Sequence, residues 1–269
     1  MRPAASAAEA AALLERHCTP EVVRVAELEG WSAELWRELE RAGLAAVGIV
    51  LPLAEAAEVV RAAAGFAAPI PLAETVLVGW LRGTQAPPGP LTVVHRGRAP
   101  YGRVATALLS GDGFVAPEDA HLERAVNPAG EPMDRVGVPD AAGADVLRLG
   151  ALLRAVQLVG AMERVLELLQ QPPARLAGQV ASAGTSVDHA LDFPGEVEVA
   201  AAKIRSGEAA AATEAAAIRD QDLLGPYLRR LRSWRADFGS EAEWARVLGR
   251  KVHLDPGLLW GHAPARGTD

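Results

Sequence analysis

One long apolar helix most constrains how this chain can fold. The segment from Asp145 to Gln171, DVLRLGALLRAVQLVGAMERVLELLQQ, contains no proline and only two glycines, Gly150 and Gly160. Its apolar residues surround most of the expected helix instead of lining one face. A helix that is apolar on most of its circumference must be covered on several sides. The segment therefore predicts the central helix of a bundle, with a second subunit covering part of it.

Two details refine this prediction. At Gly160 the missing side chain would let another backbone approach closely, at a cost of roughly 1 kcal/mol in helix propensity. Polar residues collect late in the segment, at Glu163, Arg164 and Glu167. The C-terminal end of the helix is therefore expected to lie nearest the surface.

Composition excludes several classes of protein. The 269 residues carry a formal charge of −7, which argues against generic nucleic-acid binding, since such proteins usually show a basic surface. Cys18 is the single cysteine, so no intramolecular disulfide can form and a reducing cytoplasm is favoured. No apolar run approaches the ~20 residues of a membrane span. We expect a cytoplasmic globular protein.

The order of predicted elements divides the chain into four regions. Residues 1–82 are predicted to form a helical lobe, and residues 83–142 a small β region that begins with a proline-rich linker. Residues 143–262 are predicted to form a helical bundle, and residues 263–269 a disordered tail. Besides the central helix, helices are predicted at 7–16, 33–43, 54–65, 72–81, 175–183, 187–191, 195–217, 227–234 and 240–250, and a further helix is predicted to start at Thr19 and Pro20. Short β-like runs lie at 91–94, 104–109, 114–115 and 135–138.

Several strings in this order resemble the acyl-CoA dehydrogenase family. They are HCTPEVVR at 17–24, GWSAELWRELERAGLAAVGI at 30–49, APIPLAET at 68–75, AGEPMDRV at 129–136 and YLRRLRSWRADFGSEAEWARVLGR at 227–250. The central helix resembles the first helix of that family's C-terminal bundle. The resemblance implies a mainly α fold with a small β middle, in a shortened form. It is strongest to bacterial branches that act on bulky or unusual CoA thioesters, in fatty acid or steroid side-chain catabolism, some as heteromers of two unlike subunits.

The chain also departs from the family at its flavin-binding segments. The family's Arg-x-x-Phe-Gly segment has no counterpart where Gln171 meets Pro172, and its Gln-x-x-Gly-Gly loop has none where Arg219 meets Asp220. A glycine-rich loop is also missing after Pro52. Either this chain has lost these segments, or pieces of a longer chain are joined here. Joined pieces would separate neighbouring Cα atoms by far more than about 3.8 Å at one of these joins or at Pro52–Leu53.

One catalytic position is implied by the resemblance. Family members use a glutamate to take the α-proton of the thioester while hydride passes to the flavin. Aligning Tyr227 with the family's tyrosine places Asp237 at the position of that glutamate, with one methylene less reach. The alternative is a solvated acid in a turn between two helices, beside Arg235.

Other polar residues in the sequence are candidates for binding a metal or a phosphate. The six histidines show no spacing typical of a metal site. Four arginines, at 229, 230, 232 and 235, form a basic cluster that either meets phosphates of CoA or flavin or pairs with acids of a neighbouring helix. Three tryptophans, Trp234, Trp244 and Trp260, are expected in the core of the bundle.

The resemblance implies an FAD-dependent acyl-CoA dehydrogenase that oxidises an acyl-CoA to the 2,3-enoyl-CoA and passes electrons to an electron-transfer flavoprotein. The alternative is a non-catalytic subunit that pairs with a complete dehydrogenase and lacks its own flavin site. In both cases we expect a homo- or hetero-oligomer formed through the C-terminal bundle.

Overall fold

The computed structural model describes residues 6–169, 171–218 and 221–254, without the side chains of Gln221 and Asp222. Six helices form the N-terminal part of the chain. Hydroxyl side chains begin the first three helices: Ser6, Thr19 and Ser32 accept hydrogen bonds from the first turns. These are the helix starts that serine and threonine favour. The six helices are α1 (Ala7–His17), α2 (Pro20–Glu29), α3 (Ala33–Ala42), α4 (Val47–Val50), α5 (Leu53–Gly65) and α6 (Leu72–Arg82).

Five short strands follow: β1 (Leu91–Val93), β2 (Arg98–Pro100), β3 (Ala107–Ser110), β4 (Gly113–Val115) and β5 (Met133–Arg135). β3 lies between β1, which is parallel to it, and β4, which is antiparallel, while β2 pairs with β5. The prediction that a strand begins at Val104 was wrong, because residues 102–104 form a 3-10 turn. β2 was missed, since Pro100 is typical of turns in sequence and is tolerated only in edge strands.

Five helices complete the described chain: α7 (Ala144–Leu168), α8 (Ala174–Asp192), α9 (Glu196–Ala217), α10 (Gln221–Ala236) and α11 (Glu241–Leu254). The predicted break between 183 and 187 was wrong. α8 runs through Gly184, which packs near Arg61 and Val159. α10 begins earlier than predicted and contains Pro226, because the buried Leu224 and Leu228 hold both sides of the proline in the core.

α7 is the centre of the bundle, as predicted, and its own chain covers it. It contacts α5, α6, α8, α9 and α10. Leu152, Val156 and Val159 are at most 1% exposed. The argument that α7 needs a second subunit to cover part of its apolar surface was therefore wrong, because the N-terminal helices α5 and α6 cover that surface. The late polar residues are partly exposed, as expected.

Gly160 is the point of closest approach between α7 and α5. A Cβ atom at Gly160 would lie 2.2 Å from the backbone oxygen of Arg61. The predicted close approach of another backbone is thus confirmed. One hydrophobic core extends from α1 to α11, and a smaller one lies inside the β region.

The join at Pro52–Leu53 is continuous, since the backbone N–H of Ala56 donates to the Pro52 oxygen at 3.0 Å and α5 begins at Leu53. The join at Arg219–Asp220 and residues 255–269, which include the predicted tail and Trp260, lie outside the described residues. Within the described ranges, no helix combines the length and apolarity required to cross a membrane.

Candidate functional site: a buried charge cluster around Asp237

Asp237 lies in the tight turn between α10 and α11. Phe238 and Gly239 follow it with φ angles of 51° and 98°, the left-handed region that a bulky residue such as phenylalanine rarely adopts. Ser240 then starts α11 with the predicted capping box. Its hydroxyl accepts from the N–H of Glu243 at 3.4 Å, and the Glu243 carboxylate accepts from the N–H of Ser240 at 2.8 Å. These two hydrogen bonds fix the residue at which the turn ends and α11 begins.

The Asp237 carboxylate is held by Arg154 of α7. The Nε and Nη2 atoms of Arg154 lie 2.7 and 2.6 Å from Oδ2 of Asp237. Oδ1 accepts a hydrogen bond from the backbone N–H of Phe238 at 3.1 Å. Nη2 of Arg154 also donates to Oε1 of Glu74 in α6 at 2.6 Å. Both oxygens of Asp237 are therefore engaged within the chain, and one arginine joins two acids.

The cluster is almost completely removed from water. The side chains of Arg154 and Glu74 are 4% and 2% exposed, and that of Asp237 is 18% exposed. Burial raises the pKa of Glu74, and the nearby Arg154 opposes this shift. The Oε2 atom of Glu74 is buried and has no hydrogen-bond partner. Charged groups in such surroundings depend strongly on one another, because the interior solvates them poorly.

A buried lysine from α9 completes the cluster. Lys203 is 0% exposed, and its Nζ donates to the backbone oxygen of Trp234 at 2.7 Å. Burial lowers the pKa of Lys203 to about 7, against the attraction of Asp237. Sequence reasoning missed both Lys203 and Glu74. A single lysine in an alanine-rich helix gives no signal, and Glu74 was seen only as part of a family-like string.

The ring of Phe238 closes the cluster on the side of the β region. It lies directly against Gly150, where a Cβ atom would come within 2.3 Å of the ring. The ring stacks on His95 with centroids 5.1 Å apart, and Cζ of Arg154 lies 5.6 Å from its centroid. Burial lowers the pKa of His95, whose Nε2 atom is buried without a partner. Gly150 thus provides the space that the ring fills.

This packing does not fit a flavin ring beside Asp237. The cavity between Glu74, Gly150, Arg154 and Phe238 has a volume of about 10 Å³. A cavity of that size holds at most one water molecule. The space around Arg154 and Phe238 is filled by the chain's own side chains, so a group as large as a flavin does not fit on the side of Asp237 that faces them.

The arginines of α10 form ion pairs with acids, which is the second of the two interpretations that the sequence left open. The pairs are Arg229 with Glu27, Arg230 with Glu131, Arg232 with Glu214, and Arg235 with Glu241 and Glu214. The Arg230 and Glu131 side chains are 2% and 6% exposed, so this pair is a buried link between α10 and the β region. Trp234 and Trp244 lie in the core. Among the described residues, no His, Cys, Asp and Glu side chains converge as metal ligands would.

Comparisons with solved structures identify the fold. In the ChsE4–ChsE5 complex from Mycobacterium tuberculosis, the similarity covers 96% of this chain and 97% of the compared chain, with a TM-score of 0.74 and 17% sequence identity. For butyryl-CoA dehydrogenase from Megasphaera elsdenii, it covers 92% of this chain and 98% of the compared chain, with a TM-score of 0.70 and 12% sequence identity. The structure of PigA with FAD and proline covers 94% of this chain and 100% of its own chain, with a TM-score of 0.64 and 12% sequence identity.

No protein-family model and no curated protein sequence matches the chain. The structural likeness nevertheless extends over nearly the whole of each compared chain, through the N-terminal helices, the strands and the bundle. It agrees with the resemblance carried by the sequence strings. The chain has the acyl-CoA dehydrogenase fold.

Proposed function

We propose that this chain is the subunit of a heteromeric acyl-CoA dehydrogenase that does not carry its own flavin site. The observation that supports this most directly is the packing of Asp237, whose carboxylate pairs with Arg154 beside the ring of Phe238. In this proposal Asp237 is a structural residue, and the acyl-CoA and FAD belong to the catalytic partner.

The chemistry of proton abstraction explains why this packing matters. A general base must come within hydrogen-bond reach of the proton that it removes. Arg154 and the backbone of Phe238 already occupy both oxygens of Asp237. Freeing the carboxylate would leave the guanidinium of Arg154, which is 4% exposed, with Glu74 as the only acid that pairs with it among the described residues. Such a change is costly, because Arg154 would lose one of its two acidic partners at a site that water hardly reaches.

The structural comparisons are compatible with a heteromer. One of the similar structures is a complex of two named chains, ChsE4 and ChsE5. The flavin-binding segments expected from the family have no counterpart in this sequence. A chain that keeps the fold and loses these segments would serve its partner by covering and shaping the partner's site. Electrons would then leave the partner's flavin for an electron-transfer flavoprotein.

A second candidate is an active acyl-CoA dehydrogenase that uses Asp237 as its base. One observation favours it: the Asp237 side chain keeps 18% of its surface exposed, at the position that the resemblance assigns to the base. Such an enzyme would oxidise an acyl-CoA to the 2,3-enoyl-CoA, and it would have to bind FAD away from the packed side of this carboxylate.

Acyl-CoA oxidation distinguishes the two candidates. The full chain is purified alone, supplied with FAD, and assayed with acyl-CoAs of different size and an artificial electron acceptor. The proposal expects no turnover by the wild-type chain. Turnover that Asp237→Asn abolishes while the fold is retained would establish the second candidate instead. A shared control is Asp112→Asn, in the exposed turn between β3 and β4.

A further inference from the structure

The turn that contains Asp237 is fastened to the β region by two contacts. His95 and Arg96 lie in the tight turn between β1 and β2. The His95 ring stacks on the Phe238 ring, with an angle of 12° between the two ring planes. Nη2 of Arg96 donates to Oε1 of Glu243, in the first turn of α11, at 2.8 Å. One ring contact and one ion pair therefore hold the Asp237 turn against the β region.

Phe238 has a backbone conformation that its side chain disfavours. Its φ angle of 51° lies in the left-handed region, where a bulky residue persists only when its surroundings hold it there. These surroundings are the His95 ring, the space at Gly150, and Trp244, whose Nε1 donates to the Phe238 oxygen at 3.0 Å. Loss of the ring contact would let the backbone of Phe238 relax. The closed turn thus depends on the stack.

One nitrogen of His95 is unsuited to carry a proton in the closed turn. Nε2 is buried and has no hydrogen-bond partner among the described residues. A neutral imidazole tolerates this, because its single N–H can be at Nδ1. Protonation would place a charged N–H donor at Nε2 without an acceptor, which destabilises a buried group. Cζ of Arg154 already lies 5.6 Å from the centroid of the Phe238 ring, so a second cation at this ring would be repelled.

We propose that His95 is a pH-sensitive latch on the Asp237 turn. While His95 is neutral, its ring holds Phe238 against Gly150 and the turn is closed. When His95 takes a proton from solvent, the imidazolium leaves the stack for water, Phe238 relaxes, and the Asp237 carboxylate becomes accessible. This inference goes beyond the proposed function, because the stack closes the turn in a catalytic and in a non-catalytic chain alike.

The electrostatic surroundings of His95 set the direction of the response. Burial lowers the pKa of His95 below its ordinary value of 6.5, and Arg96 lowers it further. Three acids oppose this shift: Asp140 ahead of α7, Asp237, and Glu243 of α11. Once the turn opens, the ring is in water and its pKa returns toward the ordinary value. The open turn therefore binds a proton more readily, so opening increases as the pH falls below 6.5.

The ion pair between Arg96 and Glu243 should persist in the same pH range. Arg96 and the hydrogen bonds from Ser240 lower the pKa of Glu243 to about 2, so its carboxylate remains charged at pH 5. The start of α11 thus stays fastened to the β region while the ring contact opens. The expected change is local to the Asp237 turn.

Hydrogen–deuterium exchange with mass spectrometry tests the latch in the full chain. Backbone protection of residues 237–244 is compared at pH 7.5 and pH 5, after correction for the intrinsic exchange rate at each pH. In the wild-type protein this protection should fall by about tenfold or more at pH 5, while the centre of α7 stays protected. His95→Phe keeps a ring against Phe238 that cannot take a proton, so its protection should not change with pH.

Control variants separate His95 from other titrating groups. His189→Phe is matched, because His189 also contacts a phenylalanine ring, that of Phe193, with centroids 5.3 Å apart on the exposed side of α8. It should keep the wild-type response. Lys203→Met should keep it too, although it removes a buried group whose pKa is about 7.

Three outcomes would overturn the latch. They are unchanged protection of the wild-type turn between the two pH values, an equal fall in His95→Phe, and a loss of protection in α7 together with the turn, which is global unfolding. If His95→Phe does not fold, His95→Leu replaces it. That variant also cannot gain a proton, so its protection should be the same at both pH values.

Discussion

Arg154 and Asp237 lie 83 positions apart in sequence, yet their side chains meet at 2.7 Å between Nε and Oδ2. The contact joins the middle of α7 to the turn between α10 and α11, and Glu74 extends it to α6. Three distant parts of the chain therefore meet at one buried guanidinium. This ion pair lies where the family resemblance places a catalytic base, and it gives that position a structural role.

Replacing Asp237 with asparagine should destabilise the fold. The variant keeps the size of the side chain and removes its charge, so Arg154 and Lys203 lose a buried anion. Removing one partner of a buried ion pair costs roughly 3–5 kcal/mol, and the partial exposure of Asp237 favours the lower end. Urea unfolding would measure the loss. Asp112→Asn should change stability little. Equal midpoints for the two variants would show that the pair does not support the fold.

Replacing Gly150 with alanine should also destabilise the protein, although alanine is the better helix former. The added Cβ would lie 2.3 Å from the ring of Phe238. Overpacking of this kind costs about 1–3 kcal/mol. The matched variant is Gly249→Ala in α11, where no atom lies within 4 Å of the new Cβ. It should be neutral or more stable by up to about 1 kcal/mol. Thermal unfolding of both variants measures the difference, and similar shifts would contradict the packing of Phe238.

Lys203 should make stability depend on pH. Its pKa is about 7 in the folded protein and 10.5 for a free lysine. Between these values the unfolded chain binds more protons, so the contribution of Lys203 to stability rises with pH. Below about pH 7 the lysine is protonated in both states and its full burial cost is present. Relative to Lys203→Met, the wild-type protein should become more stable from pH 7 to pH 9.5 in denaturant unfolding. Parallel curves would contradict this.

Local signals in the sequence located most helices well. Ser6, Thr19 and Ser32 begin helices because their hydroxyls satisfy nearby backbone N–H groups, and this needs no knowledge of the fold. The close approach at Gly160 was also predictable, because the sequence alone shows that this position has no side chain. The central position of α7 followed from its apolar circumference.

Features that depend on contacts between residues far apart in the sequence could not be predicted from local signals. The sequence showed that α7 must be covered, but not that α5 and α6 provide the cover. Asp237 was identified by resemblance, while its partner Arg154 lies 83 positions away in α7. Glu74, the other acid bound by Arg154, lies a further 80 positions away in α6, and neither residue carries a local signal. The helix break predicted between 183 and 187 was wrong for the same reason, because the packing of Gly184 near Arg61 is also a distant contact.

The flavin content of the purified chain tests the central claim most directly. The full chain is expressed alone, purified without added cofactor, and then titrated with FAD while the visible flavin spectrum and fluorescence are followed. Our account predicts a colourless protein that binds no stoichiometric FAD, because the Asp237 carboxylate is paired with the buried Arg154 and the buried ring of Phe238 follows it in the turn. A yellow protein with one FAD per chain, whose spectrum bleaches when an acyl-CoA is added, would contradict it.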